Sequence, residues 1–467
     1  MSADDSQLGG SAASPQHVGE EPTPETTDDT TTGTRVEPAA DAADAAVPPT
    51  PPGRHQSDAP VDADAARWRE AMRRVTSGGW AVSLGAVVLA VLVGSIMIAA
   101  TDKGVQDASG YFFSRPQDTL SAIGSAVGGA YSALFRGAVW DFRADDFAGG
   151  IKPLLNSLNF ATPLIGAGLG VALAFRAGLF NIGGRGQMLV AAAAAGWVGF
   201  GVDLPPVLHL VVALIAGVAA GALWSGIAGL LKAMTGAHEV ITTIMLNYVA
   251  FYLLSYMLAT PGLLQAPGSS NPKTPAMHEN AIMPKLFGDR YKLHWGFVLA
   301  LVAVVLVWWI LNRSRLGFTF RAVGENPEAA RVAGIDVRRA TISVMLVAGG
   351  LVGLAGTTQV LGTVTTGFAS DIDAGIGFDA ITVALLGRST PFGVLAAAIL
   401  FGAFKAGGSV MQASENVPIE IVLVVQSLIV LFIAAPPLVR AVFHLPQPGA
   451  RPVKKERARR EAKEVAA

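Results

Sequence analysis

Apolar runs long enough to cross a bilayer alternate with short polar breaks along most of this chain. The runs cover Trp80–Ala100, Leu154–Phe175, Gln187–Gly201, Val207–Leu231, Val240–Leu258, Trp295–Leu311, Thr341–Leu361, Phe392–Gly408 and Ile419–Ala435. A hydrocarbon core of about 30 Å takes an apolar helix of roughly 20 residues, and most of these runs approach that length. One run, Phe378–Leu386, is about half that length. It predicts a broken or re-entrant helix, tolerated only where protein covers its ends. A weakly amphipathic stretch over Leu120–Val139 predicts a helix lying along the outer surface, and Pro163 predicts a kink inside its run. The pattern gives an all-α polytopic membrane protein with about ten transmembrane helices.

The breaks orient the runs. Arg67, Arg69, Arg73 and Arg74 precede the first run. Arg176, Lys232, the cluster from Arg313 to Arg339, Arg388 and Arg440 follow alternate ones. The positive-inside rule places these in the cytoplasm, so the N and C termini are both expected to be cytoplasmic. Thr260–Leu293, rich in Pro, Gly and Asn, becomes a long outer loop. Residues 1–66 carry almost no large apolar side chains and are expected to be a disordered acidic cytoplasmic tail. Residues 67–440 form the transmembrane domain, interrupted by a cytoplasmic loop at 312–340, and 441–467 form a basic cytoplasmic tail.

Composition agrees. Of 467 residues, 51% are hydrophobic and only 15% charged, and the 53 glycines suit helices that approach closely in lipid. The absence of cysteine excludes disulfides, thiolate metal sites and cysteine catalysis. There is no Gly-Lys dipeptide for a phosphate-binding loop, no HExxH and no GxSxG. An enzyme is therefore not expected. No carboxylate pair lies within the runs, and Lys405 and Glu420 are placed near run ends, where they snorkel. Ion-coupled transport normally needs intramembrane carboxylates or broken-helix ion sites, so it becomes the more distant alternative. A transporter without its own energy source takes it from a partner.

The loop at 312–340 holds a short helix with clear punctuation. Asn326 caps it, Pro327 suits its first position, Glu328 complements the helix dipole, and Gly334 provides a left-handed exit. Its sides are small, with Ala329, Ala330, Val332 and Ala333, and it should run about two turns, roughly 12 Å. Such a helix fits a groove on another protein; the same signals also describe an ordinary capped surface helix.

Glu328-Ala329-Ala330 followed by Gly334 resembles the EAA-xxx-G loop of ABC-transporter permeases, and Arg321–Asp336 looks like the version in simple-sugar and nucleoside importers. FNIGGRGQ (Phe180–Gln187) resembles that family's FNIGAEGQ, with Gly184 and Arg185 in place of Ala and Glu, so a role for that acid does not carry over. HEVITTIMLNYVA (His238–Ala250) is similar to a string of the larger permease in nucleoside importers, and Gly377–Gly393 also fits. The resemblance spans about Leu154 to Ala435 and implies a nucleoside importer in a bacterial plasma membrane, with simple sugars such as ribose as the rival substrate. It implies that Asn326, Pro327, Glu328, Ala329, Ala330 and Gly334 form a coupling helix. It further implies a separate ABC ATPase subunit carrying ATP and Mg, a second, non-identical permease, and an extracellular substrate-binding lipoprotein. The remaining expected contacts are with membrane lipid and the nucleoside, and not with nucleic acid.

Candidate pathway residues are polar or aromatic groups at membrane depth. Asn247 either lines the pathway or bonds across helices. Asn181 and Gln187, flanking glycines at a helix start, line the pathway or serve as cap and turn. Thr243 faces substrate or bonds back to its own helix. Phe378 stacks on a base or packs, and Asp379 meets substrate or caps its helix.

Overall fold

The computed structural model describes residues 79–443, and both terminal tails fall outside them apart from 441–443. Among the described residues the protein is all helical, with one isolated β-bridge between Lys285 and His294. In chain order the helices are α1 (Gly79–Thr101), α2 (Lys103–Ser109), α3 (Pro116–Ala138), α4 (Phe147–Arg176), α5 (Gly184–Gly201), α6 (Pro206–Thr235), α7 (Glu239–Ala259) and α8 (Gly296–Arg313). They continue with α9 (Arg315–Glu325), α10 (Pro327–Val332), α11 (Val337–Thr358), α12 (Ile376–Leu386), α13 (Pro391–Glu415), α14 (Ile419–Ala434) and α15 (Pro436–Val442). Six of these helices are long and apolar enough to cross a membrane, and a seventh crossing is possible if α1 and α2, bent by 73° at Asp102, count as one.

Two helices form the axis of the bundle. Over their most apolar windows α4 is 83% buried and α11 72%, against 22% for α6 and α7. A helix hydrophobic all round is one that other helices surround. The tightest packing is α6 on α11. Gly217, Gly221 and Ser225 recur every four residues on α6 and face Gly349 and Gly353 on α11. A Cβ at Gly221 would lie 2.7 Å from the Gly349 carbonyl oxygen and from Gly353 Cα, so the two backbones touch. Lipid is as apolar as a leucine side chain, so close backbone approach and dispersion hold such helices together. Gly170 plays the same part between α4 and α11, where a Cβ would sit 2.5 Å from the Ala348 oxygen.

One expected element comes out differently. The stretch at 120–139 is not a helix lying on the surface. It is α3, packed on α13: a Cβ at Gly137 would lie 2.5 Å from Val410 Cβ. Ser157 Oγ, three turns into α4, donates to the Ala138 carbonyl at 2.6 Å, while Asp146 caps the start of α4. After Ala138 the chain must therefore double back by about 16 Å, the length of α4 between those residues. The last turns of α3 thus dip along α13, with Gly129 beside Glu415 at the end of α13 and Gly137 beside Val410, and the coil 139–146 returns. Pro163 sits inside α4, which continues from Phe147 to Arg176. The long loop at 260–295 is a packed cap: Leu264, Met277, Ala281, Met283 and Leu293 are all buried.

Loops 177–183, 236–238, 314–336 and 387–390 gather at one end of the bundle. Arg176 Nε donates to the Ser389 carbonyl at 3.0 Å, and Lys232 pairs with Glu239 at 2.5 Å. Loops 139–146, 202–205, 260–295 and 364–369 gather at the other end. There Asp146 pairs with Arg290 at 2.9 Å, and Thr274 N–H donates to the Phe368 carbonyl at 3.0 Å. The Gly149 N–H and Arg290 together hold the Asp146 carboxyl below the usual range. His294 also lies at this end, and burial pushes its imidazole down to about 4.

Candidate functional site

Two helices start partway through the bundle and not at its ends. The chain leaves α4 at Arg176, climbs through Ala177–Gly183 without helix, and begins α5 at Gly184. From the opposite end it leaves α11 through a π-helical turn, Gln359–Thr363, and descends to begin α12 at Ile376. The two starts meet. A Cβ at Gly184 would be 2.8 Å from the Gly377 carbonyl oxygen. With 11 residues, α12 is about 16 Å long, half the hydrocarbon thickness.

A polar cluster supports the start of α5. Its N-cap, Gly183, has no side chain to satisfy the orphan amides of the first turn, so a neighbouring helix does so. Asn247 Oδ1 accepts from Gly186 N–H at 2.8 Å, and Asn247 Nδ2 donates to the Ile182 carbonyl at 2.9 Å. One turn earlier on α7, Thr243 Oγ1 accepts from Ile182 N–H at 3.3 Å and donates to its own Glu239 carbonyl at 2.8 Å. One turn earlier again, Glu239 accepts from Phe180 N–H at 3.3 Å. Glu239, Thr243 and Asn247 thus form one stripe at four-residue spacing that zips α7 to the climbing segment. Asn181 and Gln187 lock to each other, with Gln187 Nε2 donating to Asn181 Oδ1 at 2.9 Å, and Asn181 Oδ1 also accepts from Gly183 N–H at 2.9 Å. The structure therefore brings Asn181, Gln187, Thr243 and Asn247 together, all buried and all bonded within the chain.

Phe378 and Asp379 lie apart from that cluster, in the first turn of α12. Phe378 is half exposed. Asp379 pairs with Lys405 at 2.9 Å, and Lys405 Nζ also donates to the Ala374 carbonyl at 3.3 Å. Lys405 is ten residues from the end of α13, so it does not snorkel to an interface; Asp379 neutralises it inside the bundle. A second pair joins Arg185, on the first turn of α5, to the buried Asp373 at 3.3 Å. The sequence reading placed almost no charge at depth. It missed both pairs because Asp373 and Asp379 lie in a polar turn region and a short run, whose depth hydropathy does not give.

The loop between α8 and α11 sits at the end of the bundle that carries Arg176. Ser314 caps α9 by accepting from Gly317 N–H at 3.0 Å. Asn326 Oδ1 then accepts from both Glu328 N–H and Ala329 N–H at 3.0 Å, with Pro327 in the first position of α10. At the far end Ile335 N–H bonds the Ala330 carbonyl and Gly334 N–H the Arg331 carbonyl, both at 3.0 Å. This is a Schellman closure, and Gly334 takes the left-handed φ of +82° that it requires. The closure ends α10 after six residues, about 9 Å, shorter than the two turns expected. From Glu325 to Gly334 every residue is exposed except Ala330, which packs on Val323 and Ala340. Val332 is 91% exposed. Glu328 pairs with Arg331 at 2.8 Å across the surface.

This loop bears directly on the polar cluster. A Cβ at Gly324, on α9, would lie 2.5 Å from the Arg176 carbonyl and 2.9 Å from Ala177 Cα. From the other side, a Cβ at Gly178 would lie 3.2 Å from Gly324 Cα. Displacement of α9 and α10 therefore pushes on the end of α4 and on the segment that leads to Asn181 and α5.

Comparison with known proteins gives a consistent result. The model of the family described as branched-chain amino acid transport system / permease component matches residues 154–434. The guanosine ABC transporter permease protein NupP of Bacillus subtilis is 41% identical over 68% of this chain and 89% of its own. A glucose ABC transporter permease protein of Haloferax volcanii is 37% identical over 58% of this chain and 73% of its own. The nucleoside ABC transporter permease protein NupB of Lactococcus lactis is 33% identical over 68% and 88%. No solved structure matches the chain.

Proposed function

The chain belongs to the family of branched-chain amino acid transport system permease components, and from that premise we propose that it is a membrane-spanning permease subunit of an ATP-driven importer that carries nucleosides into the cell. The observation that carries the reading is α10, a short helix capped at both ends and exposed on all but one residue. Asn326, Pro327, Glu328, Ala329, Ala330 and Gly334 build it, and its exposed face docks in a groove of an ABC ATPase subunit. ATP and Mg are bound and hydrolysed there, and this chain has no catalytic role. A second, homologous permease completes the membrane unit, and an extracellular binding lipoprotein delivers the solute.

The orientation follows from charge. The end of the bundle with Arg176, Lys232, the 313–339 arginines and Arg388 faces the cytoplasm. Ten crossings result when α1, α4 to α8, α11, α13 and α14 each cross once, and the segment 364–386 crosses once as coil followed by α12. Both termini are then cytoplasmic. Closure of the ATPase pair moves α10, and α9 passes the motion through the Gly324–Ala177 contact to the start of α5. Rigid elements with tight contacts transmit such a displacement without deforming. Asn181, Gln187, Thr243 and Asn247 keep the start of α5 stiff beside the route, while Phe378 and Asp379 border the route itself.

The test is purification in mild detergent from the native host, with co-purifying chains identified by mass, for the wild type and a Glu328→Arg, Gly334→Trp double variant. A P-loop ATPase retained by the wild type and lost by the variant supports the reading. Its absence from both, in several mild detergents, overturns it in favour of ion coupling. The similarity to a glucose permease keeps simple sugars as the second reading. Uptake of labelled guanosine that unlabelled ribose or glucose suppresses as well as unlabelled guanosine does would select that reading.

A further inference from the structure

A cavity of about 220 Å³ lies among α3, α4 and α13, at the end of the bundle away from Arg176. That is room for about seven waters, each taking about 30 Å³ of liquid. Its walls are polar from several sides: Arg136 from α3, Asp141 from the coil that follows, Lys152 and Asn156 from α4, and Ser409 from α13. The lining extends along α4 from Gly149 to Phe160, about 16 Å. Lys152, Asn156 and Phe160 recur every four residues and share one face of that helix. Ser409 stands across the cavity, about 9 Å from the end of α13. One turn further in on α13, Lys405 pairs with Asp379 at 2.9 Å, so the polar lining leads toward the charged pair at depth. Arg136 is only 6% exposed, and its Nη2 donates to Ser414 Oγ at 3.3 Å. Asp141 Oδ1 accepts from Arg143 N–H at 3.0 Å. Two cations against one carboxylate leave the wall positive and rich in donors. By contrast α6 and α8 turn aliphatic side chains outward at mid-length, such as Ile215, Leu223, Val302 and Val305, which suits lipid. Polar side chains at membrane depth that face a cavity mark the path of a polar solute.

We propose that this cavity is the outer mouth of the solute route, where Asn156 and Ser409 meet a polar, uncharged, acceptor-rich solute between α4 and α13. The solute class follows from the lining. Arg136 and Lys152 offer only donors, and the Asn156 amide offers a donor and an acceptor. The Ser409 hydroxyl donates to its own Ala406 carbonyl at 2.7 Å and keeps its lone pairs for an incoming donor. Ribose hydroxyls and base carbonyls match this set, Pro153 and Phe160 add apolar surface for a base, and the net positive wall repels inorganic cations. The depth favours a solute over a lipid headgroup. With 30 residues, about 45 Å, α4 matches the bilayer with both headgroup layers, and Phe160, about 20 Å from its start, lies below the outer one. A solute moving inward from Asn156 and Ser409 next reaches Lys405 and Asp379. The proposal rests on the nucleoside reading above and adds where on this chain the nucleoside first binds.

The chain has no cysteine, so a single introduced thiol reports its own surroundings. Asn156→Cys and Ser409→Cys, on facing helices, are each made in cells carrying the complete transporter, with Val305→Cys on the aliphatic side of α8 as the control. The cells are treated from outside with the membrane-impermeant anionic reagent 2-sulfonatoethyl methanethiosulfonate, and modification is read as a mass shift of this chain. Asn156→Cys and Ser409→Cys should be modified and Val305→Cys should not. Guanosine at ten times its uptake KM should slow modification at both positions about tenfold, the factor 1 + [L]/Kd with KM standing for Kd. The matching trimethylammonium reagent should react less well than the anionic one, each relative to its rate with a free thiol in solution, because the wall is positive. No modification at either position, modification equal to that of Val305→Cys, or modification that no solute slows would overturn the proposal. Slowing by inorganic phosphate and not by guanosine would also overturn it, by marking an anion site. If ribose or glucose protects and guanosine does not, the mouth stands and it is the nucleoside reading that has failed.

Discussion

Replacing Asn247 with alanine tests whether the buried polar cluster is scaffold or binding site. The substitution removes the acceptor for Gly186 N–H and the donor for the Ile182 carbonyl, bonds of 2.8 and 2.9 Å. No local side chain can replace them, because the α5 cap is Gly183. A buried backbone group left unsatisfied costs about 1–3 kcal/mol, and Gly186 is buried while Ile182 is partly so, giving about 3 kcal/mol in all. For a domain of this size the unfolding entropy is about 0.8 kcal/mol/K, so the melting temperature should fall by about 4 °C. Thermal unfolding of the detergent-purified protein, followed by loss of the monodisperse chromatographic peak, measures this. Nucleoside uptake per assembled transporter should keep its KM, because the Asn247 amide is occupied within the chain. An unchanged melting temperature together with a raised KM would refute the scaffold argument and put Asn247 on the route.

Three further outcomes follow from the packing and the charges. Gly221→Val should prevent accumulation of folded protein, since the first added carbon already lies 2.7 Å from two backbone atoms of α11, whereas Gly128→Ala on α3, with open space around the new carbon, should leave the melting temperature unchanged or higher. Gly334→Ala has room for its carbon but is strained at φ +82°, so it should cost about 1 kcal/mol locally and weaken ATPase retention in co-purification while the melting temperature moves by about 1 °C or less. For His294, whose folded pKa of about 4 lies below the ordinary 6.5, the unfolded chain binds the extra proton first as pH falls. Stability should therefore be full above pH 6.5 and decline through the window down to about 4, by up to about 3 kcal/mol. A melting temperature that His294→Gln makes flat across that window would confirm the cause, and one with the same slope would rule His294 out.

What the sequence determined alone is whatever depends on neighbours along the chain. Helical runs need only apolar length, so most helix bounds lie within a few residues of their apolar runs. The punctuation of α10 was legible for the same reason: Asn326, Pro327 and Gly334 act on amides and carbonyls no more than four residues away. Depth and partnership were not legible. Hydropathy gave α3 a weak amphipathic pattern, and only its packing on α13 shows that its last turns dip inward before the coil 139–146 turns back. Asn247 stood out as an amide among apolar neighbours, but its partner lies 61 residues earlier, so capping across helices and lining a route looked alike. Arg185 and Asp373 are 188 residues apart, and neither sits inside a clean apolar run. Their pairing exists because two helices begin in the interior, from opposite ends of the bundle, and meet at Gly184 and Gly377 with no room between them for a side chain. That meeting is a property of how the helices pack, and packing is set by surfaces that come together only in the folded protein.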